Sequence, residues 1–200
     1  MTGIPVAPGE LVDVDAINEF GRGHWRKTTS EQVVNTVTAT DLLNGEVQID
    51  AGAMGDDKAL RLTAWGDLLN NSGATKAAPR FQLRFGGSTI LDTGAPASQW
   101  GASAGRFYWR IVAEILNLGA DDSQWASMAG QIGVGASASA GSFTTGHGAY
   151  TTVLGAAFPS AGIAASIDTT VACALELDVV LPASASTIDV TLQGALVEII

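Results

Sequence analysis

Apolar residues at alternate positions, punctuated by glycine-rich turns, constrain this chain more than any other feature. Leu60, Leu62 and Ala64 fall on one side of the segment Lys58 to Leu69. Phe81, Leu83 and Phe85 repeat the spacing, and Gly86-Gly87 marks a turn before Ser88 to Asp92. Successive side chains of a strand point to opposite faces, so a period of two lines one face with apolar groups. From Arg106 to Asn117, Phe107, Trp109, Ile111, Ala113 and Ile115 share one side, and Tyr108, Val112 and Glu114 the other. Between Gln124 and Val134, Ala126, Met128 and Ile132 alternate against Trp125, Ser127, Ala129 and Gln131. Val171, Cys173, Leu175, Leu177, Val179 and Leu181 form another apolar side, as do Ile188, Val190 and Leu192. Gly194 breaks this last phase and Val197 and Ile199 take over, the mark of a bulge.

Val33 to Leu43 and Arg110 to Leu118 could be drawn as helices, but β-branched residues and the alternation favour strands. Regularly spaced strands and turns predict an all-β fold, an antiparallel sandwich or barrel. About eight strands in two sheets is the jelly-roll number, so the expected fold is an antiparallel β-sandwich of jelly-roll type over residues 30–200. No repeat of fixed period points to a propeller or solenoid. Residues 135–148 are small and of low complexity, which suits a long surface loop. Residues 1–29 differ from the rest. Pro5, Pro8 and Gly9 favour extended chain, and Arg22, Arg26 and Lys27 place three of the ten basic residues within six positions. This segment is expected to be an N-terminal attachment arm, with Arg22, His24, Trp25, Arg26 and Lys27 meeting a neighbouring subunit or other partner and Trp25 as the buried anchor.

The chain has 200 residues, long enough to bury about 70% of its unfolded surface without disulfides. Its one cysteine, Cys173, excludes an internal disulfide and reads as a small core residue. Charged residues are only 15%, against about 25% in ordinary domains. Twenty acids against ten bases, a net charge of -10, argue against a nucleic-acid partner, because phosphate attraction dominates such affinity. No apolar run approaches the length of a membrane helix, so no membrane partner is expected. The start lacks a basic stretch followed by an apolar one, so no secretory signal is expected.

Chemistry-bearing patterns are sparse. His24 and His147 have no second His or Cys at ligand spacing, and a zinc site needs three or four such ligands. Asp56-Asp57 and Asp121-Asp122 could be calcium corners, but neither matches an EF-hand, and aspartates favour turns for their local hydrogen bonds. There is no Gly-x-Ser-x-Gly elbow and no phosphate loop. The reading is therefore a non-enzyme with no catalytic residue, no cofactor and no metal. Of the five tryptophans, Trp65 and Trp109 lie within strand segments and suit core or sheet-face packing. Trp25 and Trp100 sit beside glycine in loop-like sequence, where an aromatic can anchor an interface. Trp100, Tyr108, Asp121 and Asp122 are the candidates for a glycan or outer-loop contact at one end of the sandwich.

Several segments together resemble a known family. Val33 to Gly55 (VVNTVTATDLLNGEVQIDAGAMG) leads into Ala59 to Gly73 (ALRLTAWGDLLNNSG). Phe81 to Asp92 (FQLRFGGSTILD) and Trp109 to Gly119 (WRIVAEILNLG) follow. This succession of strands and small-residue turns is similar to that of β-jelly-roll structural proteins of tailed bacteriophage virions, over roughly residues 33 to 130. The resemblance implies a non-enzymatic, trimeric component displayed on a capsid or tail, with the major capsid protein or another virion protein as partner. A capsid decoration or cement protein, or a short head-attached projection, is the expected role. The alternative is a tail- or baseplate-attached adhesin, or a carbohydrate-binding module recognising the host surface. Localisation is expected in the virion, assembled in the bacterial cytoplasm. The chain lacks the heptads or fibrous repeats of a long fibre.

Overall fold

The alternating segments become the long strands of two antiparallel sheets. The structure, a computed structural model, describes residues 24–94, 99–132, 153–154 and 166–200. Its strands are β1 (His24–Lys27), β2 (Glu31–Val34), β3 (Thr40–Asp41), β4 (Gln48–Ile49), β5 (Ala59–Asn70), β6 (Lys76–Ala77) and β7 (Arg80–Phe85). They continue as β8 (Ser88–Asp92), β9 (Gln99–Trp100), β10 (Ser103–Asn117), β11 (Gln124–Ile132), β12 (Val153–Leu154), β13 (Cys173–Val180) and β14 (Ile188–Ile199). No helix occurs among the described residues, and both segments that could have been drawn as helices contribute strands. The larger sheet runs β1-β14-β5-β10-β11-β12, with β2 also on β14. The smaller runs β3-β13-β7-β8, with β4 also on β13. A two-residue ladder joins β6 to β9.

The long strands bury the sides predicted from their alternation, except that Val171, expected on the β13 apolar side, lies before that strand begins and is exposed. Leu60, Leu62, Ala64 and Leu68 of β5, and Trp109, Ile111, Ala113 and Ile115 of β10, face Phe81, Leu83 and Phe85 of β7 and Leu175, Leu177 and Val179 of β13. The Phe81 and Trp109 rings meet across the sandwich with centroids 5.2 Å apart and planes tilted by 43°, a favourable aromatic geometry. The buried Trp109 indole donates to the carbonyl oxygens of Asp67 and Thr191, both at 3.2 Å.

The predicted phase break in β14 is a bulge. Leu192 pairs with Gly66 and Gly194 with Trp65, leaving Gln193 as the extra residue. Ala195 and Val197 then take up the buried side.

The sheet begins earlier than the expected boundary at residue 30. His24 to Lys27 pair with Glu198 to Ala195 of β14, and β2 continues along the same edge. The two halves are separated at the bulge, so this edge is one interrupted strand. Residues 1–23 of the expected arm, and the loop at 135–148, lie outside the described residues.

Candidate functional site

The basic cluster divides once the strand forms. Trp25 and Lys27 oppose Val197 and Ala195, so they share the core side of the sheet. Trp25 is half-buried against the core. Lys27 is buried, and its ammonium reaches Glu46 at 2.9 Å and Glu31 at 3.9 Å. Its stem lies along the core edge while the charge is carried to a carboxylate. Lys27 is therefore engaged within its own domain and is not a free attachment residue. Trp25, likewise, packs on its own domain. Arg26 opposes Leu196 on the outer side and is exposed. Arg22 lies outside the described residues, as does the side chain of His24.

The four residues expected to form a glycan contact are not brought together. Tyr108 sits within β10, on the outer side of the larger sheet, opposite Asp67. Asn117, nine residues on and about 30 Å away along the strand, ends β10 before the turn that carries Asp121 and Asp122. Trp100 pairs with Lys76 just before Ser103, which faces Asn70 at the opposite end of the sandwich. The alternation of β10 already placed Tyr108 mid-strand, and the ends of the strands separate the rest.

At the Asp121 end, a polar network closes the sandwich. The buried Gln124 amide donates to Asn117 Oδ1, the Asp121 carbonyl and the Ile167 carbonyl at 2.9–3.0 Å, and its oxygen accepts from Ile167 N at 2.9 Å. Thr169 donates its hydroxyl to the Asp121 carbonyl at 2.8 Å. These bonds hold Asp121 beside Asp56, Asp122 and Asp168. Loss of surrounding water, then the charge of Asp56 and a hydrogen bond with it, then Asp168 and Asp122, push the Asp121 carboxyl above its usual range. No group of three or more His, Cys, Asp or Glu among the described residues is placed to hold a metal ion. Cys173 is buried, and burial followed by the charge of Asp168 pushes its thiol up, away from the thiolate that nucleophilic chemistry needs.

The outer side of the larger sheet is the most distinctive surface. In register across β11, β10, β5, β14 and β1 lie Ala129, Val112, Thr63, Leu196 and Arg26. The next row holds Gln131, Arg110, Trp65 and Gly194. Arg61 pairs with Glu114 at 2.8 Å, and Arg106 joins Asp67 and Asp189 while donating to Thr191 Oγ1 at 2.8 Å. Trp65 and Tyr108 stand diagonally across two neighbouring strands, both half-buried. The alternation places Trp65 on a sheet face, but it takes the β14 register to show what lies beside it. No protein-family model matches the chain, and neither a curated protein nor a solved structure matches it.

Proposed function

We propose that this chain is a non-enzymatic structural protein of a tailed-bacteriophage virion, built on a jelly roll and acting as a capsid decoration protein or short head-attached projection. Strand order carries the reading. With β1–β2 taken as the first strand, β3–β4 as the second, and β5, β7, β8, β10, β13 and β14 as the rest, the larger sheet reads first-eighth-third-sixth. The smaller reads second-seventh-fourth-fifth. A long hairpin pairing first with eighth, second with seventh, third with sixth and fourth with fifth yields this order when rolled into two sheets, which is the jelly-roll plan; β11 and β12 extend the larger sheet beyond the sixth strand. Jelly rolls serve in viral capsid and lectin domains. The segments that carry the family resemblance occupy the end of β2 with β3 and β4, β5 with its following turn, the β7–β8 hairpin and β10, which supports the same reading.

In this reading the residues preceding His24, with Arg22, attach the domain, and exposed Arg26 lies at the exit of that segment. The β-domain assembles as a trimer beside a capsid or other virion protein. Fractionating particles into DNA-filled heads and tails, with the chain detected by antibody, tests it. The chain is expected in the head fraction at many copies. Its absence from both fractions would overturn the virion reading, and presence on tails alone would overturn the decoration role. Light scattering of the purified chain is expected to give a trimer mass, and a monomer would remove the oligomer from the proposal. Glycan recognition by a surface adhesin is the second reading, favoured by the placement of Trp65 over Gly194.

A further inference from the structure

Trp65 and Gly194 are direct cross-strand partners on the outer side of the larger sheet. A Cβ built on Gly194 would stand 2.6 Å from Trp65 Cζ2 and 2.9 Å from Cε2. The indole therefore covers the Gly194 backbone, in space that only glycine leaves open, and the side chain remains half-buried on this outer side. Two guanidiniums flank it. Arg110 is the cross-strand partner of Trp65 on β10, and Arg26 stands on β1 beyond Leu196. Both are exposed. Arg61, Arg80, Arg84 and Arg106 each hold a carboxylate, whereas Arg26 and Arg110 form no ion pair with a described residue. Three strand spacings and two residues of offset put their Cα atoms roughly 16 Å apart. Glu198 stands diagonally from Arg26 on the same side, and the Trp65 ring lies between the two guanidiniums in a chain of net charge -10.

We infer that this strip binds an anionic polysaccharide, with Trp65 as the stacking platform and Arg110 and Arg26 pairing with sugar carboxylates. A pyranose ring presents a flat C–H face to an indole, and guanidinium takes a carboxylate in a two-bonded fork. An extended peptide is a poor fit. β5 and β14 are each paired on both sides, so their backbone groups are spent and a peptide's would go unmatched. Sugar hydroxyls over an open face keep their water. A nucleic acid carries a charge at every phosphate and meets the overall negative field of the chain. The inference rests on the glycan-recognition reading and holds wherever the protein is carried.

The test is binding of the full chain to immobilised polygalacturonate, hyaluronan and polysialic acid, with neutral dextran as control. At least one acidic polymer is expected to bind, more weakly as salt is raised, and dextran is not. Trp65→Ala and Arg110→Gln should each weaken that binding about tenfold or more, while Lys76→Gln, on the separate β6–β9 ladder, should not. Both informative positions point outward, and Arg110→Gln leaves the core untouched, so folding is kept and is checked by thermal melting. Binding to none of the three polymers, equal binding to dextran, or undiminished binding by both variants would overturn the inference. So would sedimentation showing that Trp65→Ala dissociates an oligomer, since a second copy would then cover the face. Failure of the particle fractionation leaves this result standing, and the reverse also holds.

Discussion

At the scale of single residues, two glycines let two indoles lie against the larger sheet on opposite sides. A Cβ at Gly66 would stand 1.9 Å from the Thr191 carbonyl oxygen and 3.0 Å from Trp109 Cε2. The first of these is backbone and cannot give way. Gly66→Ala is therefore expected to cost about 3 kcal/mol, the upper end of ordinary overpacking, read as a lowered urea midpoint with an unchanged slope. At Gly194 the two nearest obstacles are atoms of the Trp65 ring, which can swing outward, and the nearest backbone atom, the Lys27 carbonyl oxygen, stands farther off at 3.3 Å. Gly194→Ala is expected to cost about 1 kcal/mol and to change the fluorescence of Trp65 as the ring lifts. If the two costs were equal, the distinction between backbone and side-chain obstruction would be wrong.

At the scale of elements, two carboxylates give opposite pH signatures. In the β7–β8 hairpin, Asp92 accepts from Arg80 Nε at 2.6 Å and from Gln82 Nε2 at 3.0 Å. The Arg80 hydrogen bond, with smaller help from Gln82, the Gly94 amide and the Arg80 charge, outweighs desolvation and holds its carboxyl down at about 2. A depressed pKa adds stability above the unfolded value, lost as pH falls towards the folded one. With the Arg80 side chain 41% exposed, solvent screening reduces the benefit, so Asp92→Asn should cost about 1 kcal/mol at pH 7 and almost nothing near pH 2. Asp121, in the β10–β11 turn, has a raised pKa. Its contribution is present below the unfolded value, about 3.9, and is lost as pH rises through the folded one. Asp121→Asn should therefore raise the melting temperature at pH 7 and leave it unchanged in strong acid. A lower melting temperature at pH 7 would sink that assignment. The sequence showed Asp121-Asp122 as an acidic turn, but Asp56 and Asp168 reach it from distant loops, and period-two spacing carries no information about which loops meet. Lys27 was misleading for a related reason. Three nearby bases suggested a basic patch, although Trp25 and Lys27 are two apart and share a face as soon as the segment becomes a strand. The β14 bulge was legible because Gly194 leaves a gap in the alternation of one strand.

At the scale of the whole molecule, the last strand is central. β14 lies between β5 on one side and β1 with β2 on the other, and Ile188, Val190, Leu192, Ala195 and Val197 are all buried. Its partners are more than 100 residues earlier in the chain, so loop-closure entropy must be met before these contacts can reward it. Strand composition and alternation showed that β14 exists, but pairing over such distances is set by the packing of both sheets at once. The arrangement makes folding all-or-none with respect to the C-terminus. A chain ending at Thr187 loses the strand that joins β5 to the β1–β2 edge and opens the core side of both. It is expected to give no cooperative urea transition and no near-ultraviolet circular dichroism. The full chain should refold in milliseconds to seconds, the range of domains dominated by distant pairings. A synthetic peptide of residues 188–200 added to the truncated chain should restore the near-ultraviolet signal if the missing strand alone is responsible. A cooperative transition in the truncated chain without the peptide would show that β5, β10 and the smaller sheet form a stable unit by themselves, and the central role of β14 would then fail.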